Sequence, residues 1–335
     1  MSSYCCAALV SPVRLAGKME PAARKMCPSR TSLATVLLYL VACASFATAQ
    51  RLVSPTRIAE GAPGQLLVSD YAAEAIFVAD KQTLQTLWAI PIKGKPMGVA
   101  RLGSLMFVGN ERTQSVEVYA VDDARRKVRL RYTLGPSLSN TGPGFFRRPT
   151  DIAIDPEFGL VFVLDGGDQL IKVFDTTGIF IRTFPPAVTN QTVSFVAGIG
   201  VDTVQKEILV TDHGNPGAGL AARILVFTYD GTYRRQINGN GYVDGSGTQS
   251  TLQFARPQGV AADGAGHLFM VDPVLGKMIA FDENNILDAD NVGVVKRLDG
   301  FASATDLVID GATGDIFAVN HKTATVLVFR GEGRI

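Results

Sequence analysis

One phrase returns six times along this chain, and that repetition constrains the fold more than any other feature. Each copy has a Pro- or Gly-bearing entry, an apolar triplet, an acidic or Gly turn, and an apolar strand that stops at Asp or Asn. The clearest is FARPQGVAADGAGHLFMVD, which stops at Asp272; the others stop at Asp70, Asn110, Asp165, Asp212 and Asn320. After each stop comes a third β-rich run, such as IKVFD at 171–175 or TVLVFRG at 325–331, and several copies add a fourth, such as VVKRL at 294–298. Sharing the 285 residues from Arg51 to Ile335 among six copies gives about 47 residues each, within the range of propeller blades. A four-strand meander cannot bury both of its faces alone, so the units must stack and close into a ring. The pattern predicts an all-β chain, with one six-bladed β-propeller of four-stranded antiparallel blades over residues 50–335. Helical periodicity between strands is nearly absent, which excludes a parallel sheet with crossover helices.

Residues 1–49 read as a targeting segment. Between Arg30 and Arg51 no residue is charged, and the apolar stretch from Leu33 to Ala42 follows Arg24, Lys25 and Arg30. That is the layout of an export signal. Ala47-Thr48-Ala49 offers a small-x-small cleavage site that would leave Gln50 or Arg51 first, and Met26 is a second possible start. Leu40-Val41-Ala42-Cys43 instead resembles a lipobox, which would acylate Cys43; an uncleaved anchor is the third reading. All three place the body outside the cytoplasm, periplasmic, secreted or anchored at the outer membrane, with membrane contact only through this segment. The four cysteines (Cys5, Cys6, Cys27 and Cys43) all lie here, so the repeats fold without disulfides or thiolate metal ligands. The segment holds five basic residues and one acid, so without it the formal charge falls from +1 to −3. Such a balance argues against a nucleic-acid partner.

The phrase GNGYVDGSGTQSTLQFARPQGVAADGAGHLFMVD (239–272) resembles the NHL repeat, and GPGFFRRPTDIAID (142–155) is a shortened copy. In that repeat a Gly-rich loop leads through Phe and Pro to Gly-Val-Ala-x-Asp and an aliphatic strand ending in Asp. The fourth copy departs from it, with Phe195 in place of the proline, and the first two lack the acidic turn residue. The resemblance implies a six-bladed propeller of exported, bacterial type. In such blades the third residue of each entry phrase looks into the channel mouth, which here gives Arg57, Gly98, Asp151, Gly198, Gly259 and Asp306.

Two chemistries compete at that mouth. Asp151 and Asp306, from opposite blades, have the oxygen chemistry to hold calcium, a hard cation; alternatively each accepts backbone N–H groups, with Arg57 neutralising them. His213 and His321 each follow a stop residue, and the related amidating lyases use histidine-bound zinc; His267 starts a different strand, short of the three converging ligands a catalytic zinc wants. Ala59-Glu60-Gly61 imitates a phrase of the propeller lactonases at the wrong spacing, with Trp88 elsewhere. The stop residues recur in every copy and therefore read as structural caps. Two functions follow. One is a monomeric, non-catalytic binding scaffold that presents inserts such as 135–148, 186–194 and 213–222 to a protein, peptide or envelope partner. The other is a calcium- or zinc-dependent hydrolase or lyase of lactonase or amidating-lyase type, and the sequence leaves the choice between them open.

Overall fold

The computed structural model describes residues 51–135, 142–186, 193, 195–238, 242–243, 249–250, 254–288 and 291–333. The export signal, its Ala49 and Cys43 cleavage points and most of the Gly-rich loop 239–253 lie outside them. Six antiparallel sheets form a six-bladed β-propeller, one sheet for each copy of the phrase. Their innermost strands are Pro55–Glu60, Pro96–Leu102, Pro149–Asp155, Val196–Asp202, Val260–Ala262 and Ala304–Asp310. Blades 1 to 5 have four strands in simple meander order, and the described part of blade 6 has three. A further short hairpin, Tyr242–Val243 with Gln249–Ser250, precedes blade 5.

The second strands are apolar on both faces, as strands buried between neighbouring blades must be. In Gln65–Asp70, Leu160–Asp165 and Glu207–Asp212 nearly every residue is buried. The outermost strands meet solvent, and Lys127–Leu134 keeps Lys127 and three arginine-bearing or apolar neighbours exposed. The core is accordingly a set of seams rather than one centre. Phe162 and Ile171 of blade 3 pack with Ile208 and Phe227 of blade 4. Ile58 and Phe77 of blade 1 pack with Phe317 and Val326 of blade 6, which closes the ring.

The two faces of the disc differ. On one, here the turn face, most strands are joined by tight turns, and an Asp caps many of them by accepting N–H groups two and three residues ahead. Asp80, Asp155, Asp202 and Asp310 all do so. The other, the loop face, carries the stop residues, the blade entries and the long connections. The described insert 213–222 is an ordered excursion with a 3₁₀ turn at Pro216–Ala218, closed by a bridge between Asn215 and Leu220. No helix among the described residues is long and apolar enough to cross a membrane.

Candidate functional site at the propeller axis

Arg57, Asp151 and Asp306 come together at the axis, each at the third position of its blade's entry, and each at most 7% exposed. Arg57 Nε stands 3.3 Å from Asp151 Oδ1. Its Nη1 donates to the Thr305 carbonyl of blade 6 at 3.0 Å, and its Nη2 donates to the Ala197 carbonyl of blade 4, on the far side of the ring. One guanidinium thus ties blade 1 to blades 3, 4 and 6 through its planar fork of donors. The carboxylates act between blades as well. Asp151 Oδ2 accepts the Ile199 N–H of blade 4 at 3.0 Å, and Asp306 Oδ2 accepts the Ile58 N–H of blade 1 at 3.0 Å. These bonds are equivalent: each runs from the axial Asp to the residue just past the axial position of the following blade. Asp151 Oδ1 also accepts the N–H of Ile152.

The remaining axial positions are glycine because neighbouring blades leave no room for a side chain: the axial acids crowd Gly98 and Gly259, and the Gln258 carbonyl would lie 2.2 Å from a Cβ on Gly198. A Cβ on Gly98 would lie 2.7 Å from Asp151 Cα, and one on Gly259 would lie 2.4 Å from Asp306 Oδ1. A glycine therefore precedes each axial Asp around the ring.

Electrostatics mark the cluster. Burial, reinforced by the negative charge of Asp151, pushes the Asp306 carboxyl up to about 7. Burial raises Asp151 too, against the pull of Arg57 and the N–H groups of Ile199 and Ile152. The pair therefore shares the charge of one arginine and holds a proton near neutrality. A cation bound by Asp151 would compete with the guanidinium already there.

The histidines lie apart, each with its own partners. His213 Nε2 is 3.2 Å from Gln258 Nε2, and its ring stacks on Phe195 with centroids 5.0 Å apart. Burial, with the charge of nearby Arg256, lowers it to about 4, so it is neutral at physiological pH. The neutral Nε2 lone pair can accept from the Gln258 amide. His321 Nδ1 faces the Pro55 carbonyl at 3.2 Å. Each histidine thus reaches the entry of the following blade, and among the described residues no group of three or more His, Cys, Asp and Glu is placed to hold a metal ion. His267 pairs locally with Asp263 at 2.7 Å. Glu60 sits on the turn face, where Lys81 bridges it to Asp310, and Trp88 belongs to the outermost strand of blade 1, Thr86–Pro91.

The stop residues form a second buried ring. Asp272 accepts the N–H groups of Ala255 and Arg256 from its own blade entry and of Val274 and Leu275 from the next turn. Asp165 does the same with Arg147, Arg148, Gly167 and Asp168. The caps expected from the sequence thus hold two connections at once. Asn110 also donates from Nδ2 to the Lys93 carbonyl, an approach open only because Gly94 is a glycine; a Cβ there would meet the Asn110 amide at 2.2 Å.

Sequence reasoning missed the groups beneath this ring. Lys172, 1% exposed, places Nζ 2.6 Å from Asp165 and 3.0 Å from Asp168 and donates to the Phe145 carbonyl. Burial alone would raise the Asp165 carboxyl, but Lys172 and the N–H groups of Arg147 and Arg148 hold it below its ordinary value. In blade 2 the equivalent residue is Glu117, and its stop residue is Asn110, whose Nδ2 donates to Glu117 Oε1 at 3.0 Å. The available signal was a lone charge seven residues past the stop, breaking an apolar run in SVEVY and LIKVF.

Comparison with known proteins shows the fold alone. No protein-family model matches the chain, and no curated protein matches it. Among solved structures, hydrazine synthase of Kuenenia stuttgartiensis is similar over 85% of this chain and 98% of that one, with a TM-score of 0.61 and 14% identity.

Proposed function

We propose that this protein is an exported, non-catalytic binding scaffold of NHL type that engages a protein or peptide partner through its loop face. The observation that carries this reading is the unequal length of the connections. Most turn-face links are tight, whereas the excursion 213–222 and the long connections 135–148 and 185–195 all leave from the loop face. The axial acids support it, since their oxygens are engaged by backbone N–H groups and Arg57. The loop face also exposes Lys93, Arg112, Arg147 and Arg256, which suits a partner with an acidic surface. Placement outside the cytoplasm rests on the apolar N-terminal segment, and the NHL assignment on the phrase at 239–272.

Site-specific photocrosslinking in the native host tests the reading. Probes at Phe195 and Val274, exposed on the loop face, are expected to capture one defined partner, and probes at Ile179 and Val204 on the turn face are not. Equal capture from both faces would defeat the assignment. A chelator-sensitive hydrolytic or lyase activity lost in Asp151→Asn and Asp306→Asn would replace it with the enzyme reading.

A further inference from the structure

The exposed large hydrophobics away from the loop face, Leu130, Phe158, Ile179, Ile181 and Val204, all belong to blades 2 to 4. Three of them gather at one corner of the rim. Leu130 lies on the outermost strand of blade 2, Lys127–Leu134, and Ile179 and Ile181 lie at the start of the outermost strand of blade 3, Phe180–Phe184. The two blades are tied there. Tyr132 Oη donates to the Thr176 carbonyl, and Gly178 lies so close to the Tyr132 ring that a Cβ would meet it at 3.2 Å.

The same corner is basic. Residues 122–131 hold Arg125, Arg126, Lys127, Arg129 and Arg131 against Asp122 and Asp123, in a body whose formal charge is −3. All five cations are exposed. Arg125 and Arg101 already engage the two acids, at 2.8 Å and 2.6 Å, and Lys127 stands opposite Asp122. Arg126, Arg129 and Arg131 have no acidic partner among the described residues. Arg182 of blade 3 is a further exposed cation, whose charge acts on Asp230.

A guard against edge pairing does not account for this corner. The outermost strand of blade 1, Thr86–Pro91, stands on the same rim without a charged residue. Guarding also explains neither the cations in the turn at 125–126 nor the apolar side chains set among them. An added strand is a poor occupant, because the edge is bulged: Leu130 pairs with Tyr119 and Tyr132 with Val118, which leaves Arg131 as an extra residue. Cations and isolated apolar side chains on a convex edge, with no register to match, fit anionic headgroups over acyl chains.

We infer that this corner of blades 2 and 3 is a peripheral docking surface for an anionic lipid bilayer. Arg126, Arg129 and Arg131 meet the headgroup phosphates, and Leu130, Ile179 and Ile181 enter between them. This membrane contact is separate from the N-terminal segment and leaves the loop face free for its partner.

A fluorophore that brightens in an apolar environment reads this corner by itself. The full chain, with Cys5, Cys6, Cys27 and Cys43 replaced by Ser, carries it at Ile179→Cys or, on the loop face, at Val274→Cys. Phosphatidylcholine vesicles that contain phosphatidylglycerol are expected to brighten the first probe and not the second; phosphatidylcholine alone should brighten neither. Arg126→Gln, Arg129→Gln and Arg131→Gln together should raise the lipid needed for half the signal about a hundredfold, at about fivefold per cation, and Leu130→Ser about tenfold. These variants should keep the parent's urea midpoint, since none of the four side chains is buried. Equal brightening of both probes, or a triple variant within about twofold of the parent, overturns the proposal. Poly-glutamate bound as tightly by Leu130→Ser as by the parent, with no response to vesicles, would assign the corner to an acidic protein instead.

Discussion

The ring of stop residues and the ring of axial residues are built by the same six repeats, yet they follow opposite rules. At the stops each blade faces an identical local problem, namely backbone N–H groups in its own entry loop and its own next turn. Each copy solves it with Asp or Asn, as Asp165 and Asp272 do with four N–H groups apiece. At the axis six positions converge on one small volume, so the copies must differ. The sequence there runs Arg57, Gly98, Asp151, Gly198, Gly259, Asp306, with one cation, two acids and three residues without side chains. Repetition therefore marks what a blade needs for itself, and departure from repetition marks what the ring needs as a whole.

The strongest way to break this contrast is to remove the one element that cannot be repeated. Arg57→Leu leaves two buried carboxylates without their cation and is expected to cost about 3–5 kcal/mol in denaturant unfolding. A loss within 1 kcal/mol, about the size of an exposed ion pair, would show that the cluster does not tie the blades together.

The second test uses pH. The Asp306 carboxyl, raised to about 7 by burial and by Asp151, favours folding while protonated. That stabilisation is complete below its ordinary unfolded value near 4 and is lost as pH rises through about 7. Asp306→Asn retains an acceptor for the Ile58 N–H and cannot ionise. Its stability should therefore fall less than the parent's between pH 4 and 8, by a difference on the order of 3 kcal/mol. Parallel curves from urea melts across that range would assign the proton elsewhere.

The smallest expected effect lies in the stop ring and sharpens the contrast from the other side. Asn110→Asp loses the Nδ2 donations to the Lys93 carbonyl and Glu117 and sets two carboxylates together, at a cost of about 1–3 kcal/mol. Adding Glu117→Gln should return part of that loss, because the partner beneath the stop decides between Asp and Asn. A double variant no more stable than Asn110→Asp would refute the pairing rule.

The blades were legible in the sequence because each stop residue, entry proline and apolar triplet serves contacts within its own repeat. The axial positions were legible for the same reason, since counting three residues into each entry finds Arg57, Asp151 and Asp306. Their partners were not, because Ala197, Ile199 and Thr305 belong to other blades and nothing local announces a bond across the ring. Lys172 and Glu117 were hidden differently. Each sits in a strand otherwise read as apolar, and its meaning depends on the stop residue that folding brings above it.

By itself the sequence determined the six-fold β repeat, the caps at each strand end and the apolar seams, because these follow from periodicity and from hydrogen bonds made within one blade. Only the tertiary structure decided that Arg57 spans the axis to the opposite blade, that two acids share its charge and hold a proton near neutrality, and that His213 and His321 serve separate neighbours. Those are consequences of closing the ring, which brings together residues that lie up to 267 positions apart in the chain, as Ser54 and His321 do.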